Sequence, residues 1–421
     1  MIGRRRALLA AAACCGALIA RPVRARADTT YELLPTLSFG VTSNAQLIGA
    51  GNRDEFAMAS AVGLVRVRRP RLTLTVGSRL SYSQYFQGYG TDTGSVELLA
   101  LSTANLTPAL DLHLTASGVL SRTSQVGTLG LLVPQAAAAG SGVYLSTNAS
   151  EQLAWQVRPA WRLSQDLAFS RVDYPFQDLA PGRRPVTTLT AGGRVDHTRV
   201  LNTFSLDARV TDFIIGQGVA PGGGSLPGED SVLAQALLGW RHEITAEWST
   251  DVDAGLAYLS NGPGAAVWAP AGLAVLGYRH LTWFATLEAS QLPVVNLLTA
   301  LATINDEAFL RLTLPLSERA AAAVSGFVGF IYARAADLDG NLARAYDQQS
   351  AGARVSALIG HLPLSASIDY TFVHQDGGTA VGVTVPDLVR HTVMLSITGA
   401  LWFGPNTPPL LEGGRLMQGA Q

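Results

Sequence analysis

The sequence predicts an all-β fold, a transmembrane antiparallel up-and-down barrel of about 18 strands. Three observations predict it: long segments that alternate apolar and polar residues, connections that alternate between tight and long, and a low charge content. Charged residues make up 14% of the 421 residues, whereas soluble domains carry about 25%. The deficit indicates that much of the surface does not face water, and no apolar run reaches the roughly 18 residues of a spanning helix.

The strands are marked by alternation with a period of two. Leu110 and Leu112 alternate with Asp111 and His113, and the segment 364–372 follows the same pattern. Successive side chains of a strand point to opposite faces. A soluble sandwich would bury the apolar face in a core, but these segments run to about 10 to 14 residues, whereas soluble strands average about 5 to 6 and tilted membrane strands need about 9 to 11. The lengths therefore favour a barrel with its apolar face in lipid.

The connections supply the strand count. Tight turns such as 68–70 and 107–109 alternate with longer Gly- and Asp-rich segments such as 216–230, as short periplasmic turns alternate with long outer loops in barrels. Nine long and eight tight connections predict 18 strands, with sixteen as the main alternative, and alternation is weakest at 268–278 and 320–335. In chain order, the expected strands are 31–44, 55–68, 71–86, 95–106, 110–122, 144–157, 161–174, 186–196, 199–215, 231–241, 245–260, 268–278, 281–291, 307–316, 320–334, 346–359, 364–375 and 387–403.

The N-terminal segment resembles an export signal. Basic Arg4–Arg6 precede an apolar run at 7–20, and Ala25–Ala27 form a cleavage site, so residues 1–27 are expected to be a signal peptide. Residues 28–403 then form the barrel, and 404–421 a disordered periplasmic tail. Both cysteines, Cys14 and Cys15, lie in the signal, where lipoprotein processing at Cys14 is the alternative to ordinary signal cleavage.

The charge of the mature chain bears on its partners. The sequence holds 30 basic residues, all Arg, and six of them lie in the signal, which leaves 30 − 6 = 24 Arg against 31 acidic residues, a net charge of −7. An acidic chain argues against nucleic acid as a partner. The expected partners are outer-membrane lipid and lipopolysaccharide, together with the barrel-assembly machinery, and the expected location is the outer membrane of a Gram-negative bacterium.

Alternation assigns a set of ionisable side chains to the lumen. A charged side chain in lipid is costly, so charged side chains face water or pair with each other. The interior is then either a hydrated conduit or a salt-bridged filling, and 18 strands enclose more space than wall side chains fill, which favours a conduit unless the segments 126–142 or 292–304 act as plugs or lids. The candidate lumen residues that would set selectivity are Arg79, Asp111, His113, Arg162, Asp166, Arg194, Asp196, Asp207, Arg209, Asp251, Asp253, Glu288, Arg311, Arg354, Asp369 and Arg390.

Catalysis has little support in the sequence. Asp196 beside His197, and His374 near Asp376, are the candidate acid–base pairs, but neither has a third partner. No metal-ligand spacing and no phosphate or nucleotide motif occurs. The chain is therefore expected not to be an enzyme and to need no metal or cofactor.

The first strand carries a family resemblance. Residues 34–44, the loop that follows and the strand ending before Arg71 resemble outer-membrane β-barrel porins associated with exopolysaccharide export systems. That group has an aromatic-Thr-Asp-Asn run where this chain has Val41-Thr42-Ser43-Asn44. The resemblance implies a hydrophilic conduit for polysaccharide export beside a periplasmic polysaccharide-export protein. A general diffusion porin and a plugged scaffold barrel are the alternatives.

Overall fold

The computed structural model describes residues 29–44, 51–89, 92–122, 143–175, 184–219, 225–226, 228–261, 266–280, 283–296, 301–317, 322–336, 342–359, 363–380, 383–385 and 387–403. No helix in these ranges is long and apolar enough to cross a membrane.

Within the described ranges, eighteen antiparallel strands form one closed sheet, in which the last strand is interrupted once, at Ala400. Two short ribbons outside the barrel sheet pair Gly218–Val219 with Ser225–Leu226 and Thr379–Ala380 with Val383–Thr384. The barrel strands are β1 Thr29–Thr42, β2 Asp54–Arg69, β3 Leu72–Tyr85, β4 Thr93–Thr107, β5 Leu110–Arg122, β6 Val143–Arg158, β7 Trp161–Asp173, β8 Val186–Arg199, β9 Asn202–Ile215, β10 Glu229–Glu243, β11 Trp248–Asn261, β12 Ala266–His280, β13 Trp283–Asn296, β14 Leu301–Ser317, β15 Ala322–Ala336, β16 Leu342–Leu358, β17 Leu364–Asp376 and β18 Leu388–Gly399 with Leu401–Phe403.

Closure is made by the first and last strands. Each strand pairs with the next, and β1 pairs with both β2 and β18, for example Thr42 with Thr392 and Leu33 with Leu401. A closed sheet leaves no unpaired edge, so backbone donors and acceptors are satisfied without water, as a bilayer requires. The expected 18-strand barrel is confirmed, and the sixteen-strand alternative is wrong.

The tight turns lie a few residues from their expected places. The turn expected at His197 and Thr198 is a two-residue loop of Val200 and Leu201, because β8 continues to Arg199 and pairs it with Asn202. Val200 is the only non-glycine residue of the described chain with a positive φ, 53°. The tight loop forces this left-handed conformation on a β-branched residue that disfavours it.

The largest departure from the expected strands occurs at β13 and β14. Residues 293–306 were expected to form an outer loop, but β13 extends to Asn296 and β14 begins at Leu301. The two strands continue their pairing with each other, from Gln291 with Asp306 to Asn296 with Leu301. An apolar sequence at this point therefore extends a hairpin and does not form a coil.

Candidate functional site: the barrel lumen

The cross-strand register separates the two faces of the wall. Residues paired across a ladder share a face, and alternate residues of one strand share it too. His113 pairs with Thr103 and Gln152, whereas Leu112 pairs with Ala104 and Leu153. The polar face lines the lumen, and the apolar face carries most of the exposed large hydrophobic side chains of the molecule.

All sixteen residues assigned to the lumen from the sequence lie on this inner face by register. Their role in selectivity stays a prediction. Four of the arginines form ion pairs with carboxylates, and such pairs neutralise charge at the wall without removing polarity. The pairs are Arg79–Glu97 at 3.4 Å, Arg194–Asp196 at 2.8 Å, Arg311–Glu288 at 2.7 Å and Arg354–Asp369.

Carboxylates outnumber arginines on one sector of the wall, formed by β9 to β11, where Arg209 and Arg241 also face the lumen. Asp207, Asp251 and Asp253 face the lumen there, and in the described part of the chain none of the three has an ion-pair partner within 4.0 Å. Asp253 is only 9% exposed and lies so close over Gly239 that a β-carbon at that position would collide with its carboxylate. Asp251 has a buried Oδ1 atom without a protein hydrogen-bond partner. Carboxylates in this state need water or a cation beside them.

The paired strand ends 292–296 and 301–304, called the inward hairpin below, narrow the lumen beside β9 to β11. The pairing of β12 with β13 stops at Gly272 and Gln291, so the hairpin leaves the wall beyond that point. Ala302 and Ile304 then pack in one cluster with Phe213 and Leu259. Phe213 lies on the same face of β9 as Asp207, and Leu259 on the same face of β11 as Asp253, so the hairpin lies inside the barrel.

The β14 part of the inward hairpin is buried on both faces. Ile304 is fully buried on the face towards the wall, and Thr303 on the other face is 1% exposed. The hydroxyl of Thr303 donates to Asn305 Oδ1 at 2.7 Å, and the amide of Asn305 donates to Glu307 Oε1 at 3.0 Å. Apolar packing against the wall therefore holds one face of the hairpin, and a series of hydrogen bonds between polar side chains holds the other. Of the two segments proposed as lids, the described parts of 292–304, residues 292–296 and 301–304, thus enter the lumen, whereas 126–142 lies outside the described residues.

The inner face is not polar throughout. Along β12 the lumen-facing positions include Val267, Ala269, Ala271 and Leu273, and the first two pack in the cluster that receives the inward hairpin. The poor alternation noted at 268–278 has this cause, because β12 faces lipid on one side and the apolar hairpin on the other.

The candidate acid–base pairs lie away from any shared site. Asp196 faces the lumen, whereas His197 faces outward and packs against Trp161, with ring centroids 4.4 Å apart and the rings tilted by 36°. His374 Nε2 does lie 3.1 Å from Asp376 Oδ1, but both side chains lie on the outer face of β17. No group of three or more His, Cys, Asp or Glu side chains in the described ranges could hold a metal ion.

Sequence reasoning missed three carboxylates that matter. Glu97 and Glu307 face the lumen, Glu97 as the partner of Arg79. Glu97 lies between the apolar residues Val96 and Leu98, and Glu307 lies at the expected start of its strand, although each has the same parity as a polar neighbour, Ser95 or Asn305. Glu151 faces the lipid, in phase with Leu145 and Leu153.

The outer face fixes the location of the barrel. Trp155, Trp161, Trp240 and Trp248 are exposed beside the short turns of their strands, where amphipathic rings meet the membrane interface. A closed barrel with an apolar band and such a belt belongs in the outer membrane of a Gram-negative bacterium. The protein is an outer-membrane β-barrel.

Comparison with known proteins adds likeness of fold. No family model matches the chain, and no curated protein matches it in sequence. Among solved structures, OpdQ from Pseudomonas aeruginosa matches at 10% identity and a TM-score of 0.46, over 89% of this chain and 99% of that one. OpdO from the same organism matches at 11% identity and a TM-score of 0.48, over 89% and 98%. The siderophore receptor PirA from Acinetobacter baumannii matches at 7% identity and a TM-score of 0.46, over 89% and 81%.

Proposed function

We propose that this barrel is a general diffusion porin, a passive channel for small hydrophilic solutes with a preference for cations. The observation that carries the proposal is the group of lumen carboxylates at Asp207, Asp251 and Asp253, which have no cationic side chain within 4.0 Å in the described chain. Charged groups without a protein partner require water. A hydrated wall favours a conduit over a plugged scaffold, and its negative surplus favours the passage of cations.

The inward hairpin supports the choice of small solutes. It occupies the lumen beside β9 to β12 and leaves a narrower path than 18 strands would otherwise enclose. A long polysaccharide needs an unobstructed passage. Polysaccharide export, with a periplasmic export protein as partner, is the second candidate and rests on the resemblance of residues 34–44. We propose no enzymatic activity, and as partners only lipid, lipopolysaccharide and the assembly machinery.

Purified barrel in a planar bilayer tests the proposal. We expect stepwise conductance, a reversal potential in a salt gradient that indicates cation preference, and swelling of proteoliposomes in small neutral sugars that falls steeply as the sugar grows. Absence of conductance from folded protein would establish a plugged scaffold. Permeation of long oligosaccharides, together with loss of surface polysaccharide from a deletion strain, would establish export instead.

A further inference from the structure

A patch of hydrogen-bond donors lies on the outer face of the barrel at its periplasmic end. Arg199, Asn202 and His242 are cross-strand partners on β8, β9 and β10, and they form one row beside the β8–β9 turn. Neighbouring strands of a sheet lie about 4.8 Å apart, so the three side chains leave the wall side by side. His197 lies on the same face of β8, one row farther from the turn.

The side chain of Asn202 is oriented by a hydrogen bond. The indole Nε1 of Trp240 donates to Asn202 Oδ1 at 2.9 Å. Because indole is a donor only, this contact fixes which end of the amide is the oxygen. The Asn202 amide therefore offers its N–H groups, and not its oxygen, to a ligand on the row.

Both histidines of the patch are held by tryptophans. His197 packs against Trp161 with ring centroids 4.4 Å apart, and His242 stacks on Trp240 at 5.5 Å with an interplanar angle of 11°. The Nδ1 atom of each imidazole is buried and has no hydrogen-bond partner in the described chain. A proton on such an atom would be unsatisfied, so the ring proton lies on Nε2. Nε2 is then the donor of each ring.

Arginine adds positive charge to the patch. Arg199 is exposed, and so is Arg158, which pairs with Trp161 on the same outer face. In the described chain neither arginine has a carboxylate within 4.0 Å, and no Asp or Glu occupies the outer face of β6 to β10 in these two rows. The patch is therefore complementary to an anion, and a guanidinium group forms two parallel hydrogen bonds with an oxyanion such as phosphate.

The surface on the membrane side of the patch is apolar. Phe204, Leu206 and Leu238 lie on the same outer face, farther from the turn than Asn202, and each is half exposed or more. Exposed tryptophans beside the turns mark the level of the membrane interface, so the donors lie at the level of the lipid headgroups. A ligand that covers both parts of this surface needs an anionic head and hydrocarbon in one molecule.

We propose that this patch binds the headgroup of an anionic phospholipid in the periplasmic leaflet of the outer membrane. The phosphate lies over Asn202 between Arg199 and His242, with His197 as a further donor, and the acyl chains lie along Phe204. The short turns of a barrel are periplasmic, so the leaflet is the periplasmic one, which consists of phospholipid. The proposal rests on the outer-membrane location and not on conduction, so either proposal can fail while the other stands.

Native mass spectrometry of the purified, delipidated barrel tests the site. The probes are dioleoyl phosphatidylglycerol, whose headgroup is anionic, and dioleoyl phosphatidylcholine, which has the same chains and a phosphate but no net charge. The unmodified protein should retain phosphatidylglycerol at concentrations at which phosphatidylcholine dissociates. Equal retention of the two lipids would overturn the proposal. Displacement of phosphatidylglycerol by inorganic phosphate at the same concentration would assign the patch to free anions and would also overturn it.

Asn202→Asp is the most direct variant, because a carboxylate keeps the acceptor for Trp240 Nε1 and replaces the amide donor by a negative charge. We expect the affinity for phosphatidylglycerol to fall by about tenfold, as for the loss of one hydrogen bond to a charged group. Migration as folded barrel on an unheated gel checks that the wall is intact. Undiminished affinity in the folded variant would refute the proposal.

Arg199→Gln and Arg69→Gln form a matched pair. Both arginines are the last paired outer-face residues before a two-residue turn, since Arg199 pairs with Asn202 and Arg69 with Leu72. The row of Arg69 continues with apolar side chains, because Leu72 pairs with Ala104. Arg199→Gln should lower the affinity for phosphatidylglycerol by about tenfold, and Arg69→Gln should leave it unchanged. An equal loss in both variants would show that net charge attracts the lipid and would overturn the proposal.

Discussion

Leu112 and His113 show how much a single position decides in a membrane strand. They are adjacent in β5 yet belong to opposite faces, since Leu112 pairs with Leu153 and His113 with Gln152. An Arg on the lipid face costs about 2–4 kcal/mol at the bilayer midplane, whereas the lumen tolerates it. The same substitution should therefore have opposite consequences at the two positions.

We expect Leu112→Arg to hinder assembly and His113→Arg to assemble normally with altered ion selectivity. The band that migrates as folded barrel in an unheated gel measures assembly, and bilayer recording measures selectivity. A block of assembly by His113→Arg with a silent Leu112→Arg would reverse the register of this strand.

Val200 carries backbone strain at the β8–β9 turn. Its φ of 53° lies in the left-handed region, which costs a non-glycine residue about 1–2 kcal/mol and which Asn tolerates better. Val200→Asn should raise the free energy of unfolding by about 1 kcal/mol, measured by urea titration in lipid vesicles. Leu201→Asn is the control in the same loop and should give no gain. Equal gains would trace the effect to polarity and not to φ.

At the scale of elements, the inward hairpin is the feature most open to manipulation. Ile304 is fully buried in the cluster with Phe213 and Leu259, and a buried unpaired carboxylate is strongly unfavourable. Ile304→Asp should release the hairpin from the wall and increase single-channel conductance, while the barrel remains folded on a gel.

Ile304→Val is the control for that change, because it keeps the apolar contact and should keep the conductance. If Ile304→Asp assembles with unchanged conductance, the hairpin does not restrict the path. Such a result would leave the wall charges as the main determinant of permeation.

For the whole molecule, net charge along the lumen should govern ion preference. The triple variant Asp207→Asn, Asp251→Asn, Asp253→Asn removes the three carboxylates of β9 to β11, leaves Arg209 and Arg241 on the same face, and should shift the reversal potential in a salt gradient to zero or past it. Asp230→Asn, on the outer face at the end of β10, is the control and should leave the potential unchanged. A cation preference that survives the triple change would place the selective charges elsewhere.

The amino-acid sequence alone predicts the barrel, eighteen strands with sixteen as the alternative, and the face of every residue assigned to the lumen. These predictions follow from period-two alternation and turn spacing, which are local properties of the sequence. They also follow from the lipid environment, because a register shift of one residue would place the polar side chains in lipid. Glu151 also lay within reach of the sequence, since it breaks the apolar phase of Leu145 and Leu153.

How those residues combine becomes visible in the folded barrel alone. Arg79 pairs with Glu97, whereas Asp207 has no cationic partner within 4.0 Å in the described chain. This difference depends on the register and on how far side chains reach across strands that can be far apart in the chain. The inward course of residues 292–296 and 301–304 depends on the end of the β12–β13 ladder and on apolar contacts with β9 and β11. The alternation of residues predicts neither the ion pairs nor the inward course of the hairpin. It indicates which face of the wall a side chain occupies, but not which residue lies opposite it.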